Sequence, residues 1–333
     1  MPSHDVMPNM ELHQPVQVEY ALAIADRYAE RGWLVGGGQD TYGWLKDRAK
    51  QADALIDLSA IESLRGIREI ADGSESAVEI GALTTLTEVA NSELLQTRFS
   101  VLTDAAAVVA SPQIRNIGTL GGNVSQDVRC WYYRRGLSCY RAGGNICYAD
   151  TPQSMNREHA LFDSSRCVAA GASDTATALV ALDARMVIRN MNGERVVDAE
   201  DYFVGPARDI LHTTILRPGD ILVAVRIPNT WAGATFYWEK VADRNVWDFP
   251  LVNLAAAFKV SGGVIEDSRI VAGAVQTTPR RLNRVENAIR GQTKNANTAE
   301  SVAELATNGA RALAHNGFKI PLLQNLVKRA IAA

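Results

Sequence analysis

The chain has 333 residues, enough for one large domain or for two to three ordinary domains with separate cores. Lys and Arg number 34 against 37 Asp and Glu, and this balance argues against binding nucleic acid or an anionic membrane through charge. The sequence has no run of about 18 apolar residues, and its first eleven residues lack an apolar core. We therefore expect neither membrane insertion nor secretion by a signal of its own.

The first part of the chain predicts helices and strands around a run of glycines. Apolar residues at helical spacing predict a helix over 16–31, followed by a strand over 33–35. Gly36, Gly37 and Gly38 come next, and a helix predicted over 41–51 makes them a turn between a strand and a helix. Three further strands should complete a small α+β lobe, over 54–58, 67–71 and 77–81.

A second glycine segment, residues 118–123, follows two predicted helices. These cover 87–91 and 101–110, and the second ends before Pro112 because the residue before a proline disfavours helical backbone. Residues 130–167 then lack any periodicity, which predicts a long inserted loop. Such loops usually have a function or are held by a cross-link within the loop.

The rest of the chain returns to regular patterns. A helix over 176–182 precedes a hairpin at Asn192-Gly193 and a strand over 220–227. A domain boundary is expected near 229–233. Beyond it we predict strands over 235–241, 254–260 and 268–274 and helices over 281–289, 299–314 and 322–332.

The two glycine segments are candidates for binding a polyanionic cofactor. Glycines between a strand and a helix let the backbone approach a ligand and direct successive N–H groups at an anion. Thr119 and Asn123 would add a hydroxyl and an amide. A tight turn without a ligand explains either segment alone equally well, because neither is a GxGxxG pattern.

The four cysteines all lie in the irregular segment. Cys130, Cys139, Cys147 and Cys167 could supply four thiolates to an iron–sulfur cluster or to a structural zinc ion. Their spacing lacks Cys-x-x-Cys, so it does not decide between an iron–sulfur cluster and a zinc ion. It also leaves open that the four cysteines are unrelated buried thiols. Disulfides are not expected without a secretory signal.

Four motifs in this order resemble the flavin-carrying medium subunit of molybdenum hydroxylases, the xanthine dehydrogenase superfamily. They are Leu34-Val-Gly-Gly-Gly-Gln-Asp40, Ile80-Gly-Ala-Leu-Thr-Thr85, Ser111-Pro-Gln-Ile-Arg-Asn-Ile-Gly-Thr-Leu-Gly-Gly-Asn123 and Ser173-Asp174. The cysteine segment is similar to the branch with an extra [4Fe–4S] cluster, to which periplasmic aldehyde oxidoreductases and 4-hydroxybenzoyl-CoA reductases belong. This resemblance, and not the spacing, favours an iron–sulfur cluster held by Cys130, Cys139, Cys147 and Cys167.

The resemblance implies an α+β fold with two domains. Residues 14–230 would form a two-lobed FAD-binding domain of the vanillyl-alcohol-oxidase (PCMH) type, with the [4Fe–4S] loop inserted at 124–172. Residues 231–333 would form a smaller α/β domain, an antiparallel sheet with helices, like that of carbon monoxide dehydrogenase flavoproteins.

The resemblance also implies which residues contact FAD. The pyrophosphate would lie against Leu34, Val35, Gly36, Gly37, Gly38, Gln39 and Asp40, although Gln39 stands where the family more often has a small polar residue. Phosphate and ribityl would be near Thr119, Gly121, Gly122 and Asn123. Asp174 would bind the ribityl chain, and Leu222 and Lys240 would lie near the isoalloxazine.

The implied function is electron transfer. A partner large subunit with the molybdenum cofactor would oxidise the substrate, and [2Fe–2S] centres of a small subunit would pass electrons to FAD in this chain and on to an external acceptor. Alternatives are a stand-alone FAD oxidase, disfavoured because no His or Cys stands in the glycine segments, and a zinc-stabilised scaffold without redox chemistry. A cytoplasmic location is expected, or a periplasmic one if a signal-bearing partner carries the chain.

Overall fold

The computed structural model describes residues 7–73 and 75–333, so the expectation about a signal, which concerns residues 1–11, lies largely outside them. Its strands are β1 (Glu11–His13), β2 (Gly32–Val35), β3 (Ala54–Asp57), β4 (Ile67–Asp72), β5 (Glu75–Gly81), β6 (Arg185–Asn190), β7 (Gly193–Asp198), β8 (Ile221–Pro228), β9 (Thr235–Val241), β10 (Val252–Ser261), β11 (Val264–Gly273) and β12 (Arg280–Arg281).

The α-helices are α1 (Val18–Tyr28), α2 (Thr41–Lys46), α3 (Leu86–Asn91), α4 (Glu93–Arg98), α5 (Ser100–Ala107), α6 (Pro112–Arg115), α7 (Leu120–Val124), α8 (Trp131–Arg134), α9 (Asp174–Ala181), α10 (Ala199–Tyr202), α11 (Asn283–Ile289), α12 (Ala296–Val302) and α13 (Lys319–Ala332). Within the described residues, no helix combines the length and apolarity needed to cross a membrane.

The described strands form three sheets. A parallel sheet has the order β1-β3-β2, a five-stranded sheet the order β4-β5-β8-β6-β7, and a four-stranded sheet the order β12-β11-β10-β9. The last two are antiparallel. The prediction that β3, β4 and β5 belong to one small lobe was wrong, because β3 lies in the parallel sheet whereas β4 and β5 lie in the five-stranded sheet. There β5 pairs with β8, which comes nearly 150 residues later in the chain.

Strand β10 joins the two halves of the core. Ala255 and Ala257 belong to the hydrophobic cluster that contains α5 and α9, whereas Leu254, Ala256 and Phe258 belong to the cluster that contains α11 and α13. Alternate residues of a strand point to opposite faces, so β10 is covered on both sides, which explains its nearly continuous apolar sequence. The small alanines let α9 approach one face closely.

Residues 130–167 are irregular, as predicted, apart from α8 and a 3₁₀ turn at Tyr140–Ala142. The end of this segment is attached to the C-terminal part of the chain. The backbone N–H of Leu161 donates to Val275 O at 2.7 Å, and that of Arg311 donates to Leu161 O at 2.8 Å. Buried Lys319 donates from Nζ to three backbone oxygens, those of Glu158, His159 and Ala274, at 2.9–3.0 Å.

Two predicted helices were too long. The helix expected over 41–51 ends at Lys46, and Arg48 has the left-handed φ of 55° that interrupts a helix. The helix expected over 299–314 was wrong over much of its length, because α12 ends at Val302 and a 3₁₀ turn continues only to Thr307. Gly309, at φ 81°, then turns the chain away.

Replacing Lys319 by Met should lower the free energy of unfolding by about 2–4 kcal/mol, because three buried carbonyl oxygens would lose their donor. Urea denaturation measures the change. Lys328→Met, on the same helix in an exposed pair with Glu300, is the control and should cost less than about 1 kcal/mol. Equal effects of the two variants would contradict this role of Lys319.

Candidate functional site

The first glycine segment lies at the carboxyl end of the parallel strand β2. Hydrogen bonds among the described residues use none of the backbone N–H groups of residues 36–40. Gly37 fits only without a side chain, because a Cβ there would lie 2.2 Å from Ile117 O. Gly38 has a left-handed φ of 70°. The segment therefore offers a row of free amides, the donors that an anion needs.

The second glycine segment forms the start of α7. Thr119 caps this helix by accepting a hydrogen bond from the N–H of Gly122 at 3.1 Å. The amides of Gly121 and Asn123 donate to Ala82 O and Thr119 O. The hydrogen-bonding capacity of these backbone N–H groups is already used. A ligand here would therefore contact side chains, or backbone surface that the glycines leave uncovered.

The structure brings the two glycine segments together. A Cβ on Gly36 would lie 2.8 Å from Thr119 Oγ1, and Gly37 lies against Ile117. Gln39 folds back, donating from Nε2 to Gly37 O at 3.3 Å. Leu34 and Val35, the last residues of β2, hold the start of the segment in the parallel sheet.

Asp174 is the centre of a buried polar network. Its carboxylate accepts hydrogen bonds from Lys240 Nζ on β9 and from Asn253 Nδ2 on β10, both at 2.7 Å. Burial raises the pKa of Asp174, and the ammonium and amide partly oppose that shift. Next to it, Asn123 Oδ1 accepts hydrogen bonds from the hydroxyls of Ser173 and Thr175 at 2.6 Å. Asn123, Asp174 and Lys240 thus lie in one connected region.

Leu222 occupies a different kind of position. It is buried in β8, paired with Ile188, and belongs to the main hydrophobic cluster. The same strand contacts α7, and Val223 O accepts a hydrogen bond from the N–H of Ala82. Leu222 therefore lies near the second glycine segment but is a core residue of the sheet.

All four cysteines line one cavity. Cys139 and Cys167 are buried, Cys130 and Cys147 are half-buried, and all four are free thiols. Burial raises the pKa of Cys130 to about 12 and raises that of Cys147 as well. Nearby positive charge or a bound metal is what converts such thiols to thiolates.

Two nitrogen-bearing side chains contact these sulfurs. Arg141, also in the cavity wall, donates from Nε to Cys167 Sγ at 3.3 Å. His159 Nε2 lies 3.3 Å from Cys130 Sγ. Sequence reasoning missed both. The only signal for Arg141 is its place two residues after Cys139, and no metal-ligand spacing in the sequence distinguishes His159.

Asp40 connects the glycine segment to the cysteine segment. Its carboxylate forms ion pairs with Arg129 and, at 2.9 Å, with Arg134, which lie on either side of Cys130 in sequence. It also accepts a hydrogen bond from Trp44 Nε1 at 2.8 Å. The Trp44 ring in turn contacts that of Tyr133, with centroids 5.1 Å apart. No pattern in the sequence indicates that these arginines pair with Asp40.

The fold and the candidate site are those of a two-domain cofactor-binding protein with mixed helices and sheets. The sequence matches the FAD-binding domain in molybdopterin dehydrogenase over residues 8–230 and the C-terminal domain of carbon monoxide dehydrogenase flavoproteins over 238–333. The chain belongs to the family of FAD-binding medium subunits of molybdenum hydroxylases, and is therefore a subunit of an oxidoreductase.

Similar proteins span nearly the whole chain. It is 27% identical to the carbon monoxide dehydrogenase medium chain of Hydrogenophaga pseudoflava, covering 98% of both chains. It is 28% identical to the aldehyde oxidoreductase FAD-binding subunit PaoB of Escherichia coli K12, covering 96% of each. The solved carbon monoxide dehydrogenase of H. pseudoflava superposes with a TM-score of 0.76 at 26% identity, over 98% of this chain and 97% of that one.

Asp174→Asn should lower the free energy of unfolding by about 3–5 kcal/mol, because the ammonium of Lys240 would stay buried without its counter-charge. Adding Lys240→Met should restore much of that loss. Urea denaturation of the two single variants and the double variant measures the coupling. Strictly additive effects would contradict a direct ion pair.

Proposed function

We propose that this chain is the electron-transfer subunit of its complex and binds both FAD and a [4Fe–4S] cluster. The observation that carries the cluster assignment is the single cavity lined by Cys130, Cys139, Cys147 and Cys167. In this proposal, electrons come from [2Fe–2S] centres of a small partner subunit. They leave through this chain to an external acceptor.

The free amides of the first glycine segment support FAD binding. A pyrophosphate against residues 34–40 would receive hydrogen bonds from N–H groups that have no partner in the described residues. The second segment would contribute the Thr119 hydroxyl and the Asn123 amide beside the bare backbone of Gly121 and Gly122. Asp174 is proposed for the ribityl hydroxyls and Lys240 and Leu222 for the neighbourhood of the isoalloxazine. The enclosing two-lobed fold is proposed to be of the PCMH type.

The four cysteines in one cavity suit a cubane, and the resemblance to the [4Fe–4S] branch favours this cluster over a single zinc ion. Zinc needs its ligands around one centre at about 2.3 Å from sulfur. Each iron of a cubane takes one cysteine, so four cysteines that line one cavity match its ligand number.

The buried groups around the cavity also suit an anionic cluster. Within the described part of the chain, Nη1 and Nη2 of Arg141 lack hydrogen-bond partners although they are buried. Tyr132, Tyr133 and Tyr148 also line the cavity and place aromatic rings against it. When bound, FAD exchanges electrons in pairs or singly and the cluster exchanges them singly, so this chain's residues need only hold, orient and shield the two groups.

The partners follow from the same assignment. A large subunit with the molybdenum cofactor would oxidise the organic substrate, and a small subunit with [2Fe–2S] centres would deliver the electrons. The relatives named as medium chains support a heterotrimer or a dimer of heterotrimers. We propose a cytoplasmic location, or a periplasmic one if the chain is exported with a signal-bearing partner.

Cys147→Ser should lose most of the iron and acid-labile sulfide while keeping most of the flavin, because a serine hydroxyl is a poor cluster ligand and the flavin segments lie elsewhere. Metal analysis and flavin absorbance on the same sample measure both. Ser165→Ala, an exposed residue two positions before Cys167, is the control and should keep both cofactors. Unchanged iron in the Cys147 variant would rule out this cysteine as a ligand.

Gly37→Ala should weaken FAD binding by about tenfold or more, since the new Cβ would push the segment away from Ile117 and misalign its free amides. Flavin titration of the FAD-depleted protein gives the dissociation constant. Gly317→Ala, where the nearest atom to the new Cβ is 3.8 Å away, is the matched glycine control. Equal FAD affinity in both variants would contradict the assignment of this segment.

A further inference from the structure

Arg141 is a buried cation in the cysteine cavity. Its side chain is 1% exposed, and Nε donates to Cys167 Sγ at 3.3 Å. Hydrogen bonds from the rest of the described chain leave Nη1 and Nη2 unused. A buried guanidinium with unused donors is unfavourable, so its retention calls for a negative partner.

The neighbouring carboxylate does not fully supply that partner. Asp127 Oδ1 lies 3.7 Å from Arg141 Nη1, which is too long for a hydrogen bond. Asp127 is itself paired with Lys50, whose Nζ lies 2.6 Å from Oδ2. One carboxylate thus faces two cations, which leaves a net positive charge beside the sulfurs.

The other cation in the cavity wall is placed differently. Arg166 is exposed, and its Nη2 donates to Pro206 O at 3.2 Å. Exposed charges are screened by water and salt, whereas a buried charge acts through a lower effective dielectric constant. Arg141 is therefore the arginine of this wall whose charge acts most strongly on the cavity.

We propose that Arg141 is a positioning residue that raises the reduction potential of the cluster through its charge and its hydrogen bond to Cys167. This inference rests on the proposed function, since it needs the cluster. Reduction adds one electron to a group held by four thiolates, and a fixed buried cation stabilises the added negative charge. Hydrogen bonds to the sulfurs act in the same direction.

The test is a reductive titration of the cluster in the purified complex, followed by its paramagnetic resonance signal. Arg141→Met should lower the reduced-to-oxidised ratio at a fixed potential by about tenfold or more, equivalent to about 59 mV for one electron. Arg141→Lys keeps the charge and should shift the ratio by less than about threefold. Arg135→Met, an exposed arginine of the same segment, should leave the ratio unchanged.

A second variant covers the case in which Arg141→Met fails to retain iron. Asp127→Asn removes the carboxylate that partly neutralises Arg141 and should shift the ratio the opposite way, toward the reduced cluster. Unchanged ratios in the iron-containing Arg141→Met protein, or in Asp127→Asn when only that protein holds iron, would overturn the inference. A parent complex without iron in this chain would instead overturn the proposed function.

Discussion

One carboxylate, that of Asp40, holds the two candidate cofactor sites together. It ends the first glycine segment and pairs with Arg129 and Arg134, which flank Cys130. Charge-assisted hydrogen bonds to a half-buried carboxylate are among the stronger polar contacts in proteins. The cysteine segment therefore cannot move away from the glycine segment without breaking both ion pairs, and the position of the cavity depends on this contact.

The cysteine segment has little regular structure and takes its shape from contacts on two sides. Trp44 and Tyr133 pack beside Cys139 and Cys167 in one hydrophobic cluster. Further along, Lys319 and the backbone of Leu161 attach the segment to the C-terminal sheet and helices. Because anchors at both ends limit its freedom, an otherwise irregular chain presents four thiols to a single cavity.

Local patterns in the sequence predicted the elements better than their arrangement. The strand, glycine and helix order around Gly36, the hairpin at Asn192-Gly193 and strand β9 were confirmed because each depends on nearby residues. The pairing of β5 with β8 depends on residues far apart in sequence, and no local pattern encodes it. For the same reason the sequence predicted the cysteines as a set but did not reveal Arg141 among them.

The most direct test of this account is to purify the protein anaerobically and measure FAD, iron, acid-labile sulfide and zinc on one sample. The account predicts about one FAD with about four irons and four sulfides per chain, and no stoichiometric zinc. FAD with zinc, or with no metal, would contradict the cluster and make the four cysteines structural. Iron and sulfide without FAD would contradict the flavin site.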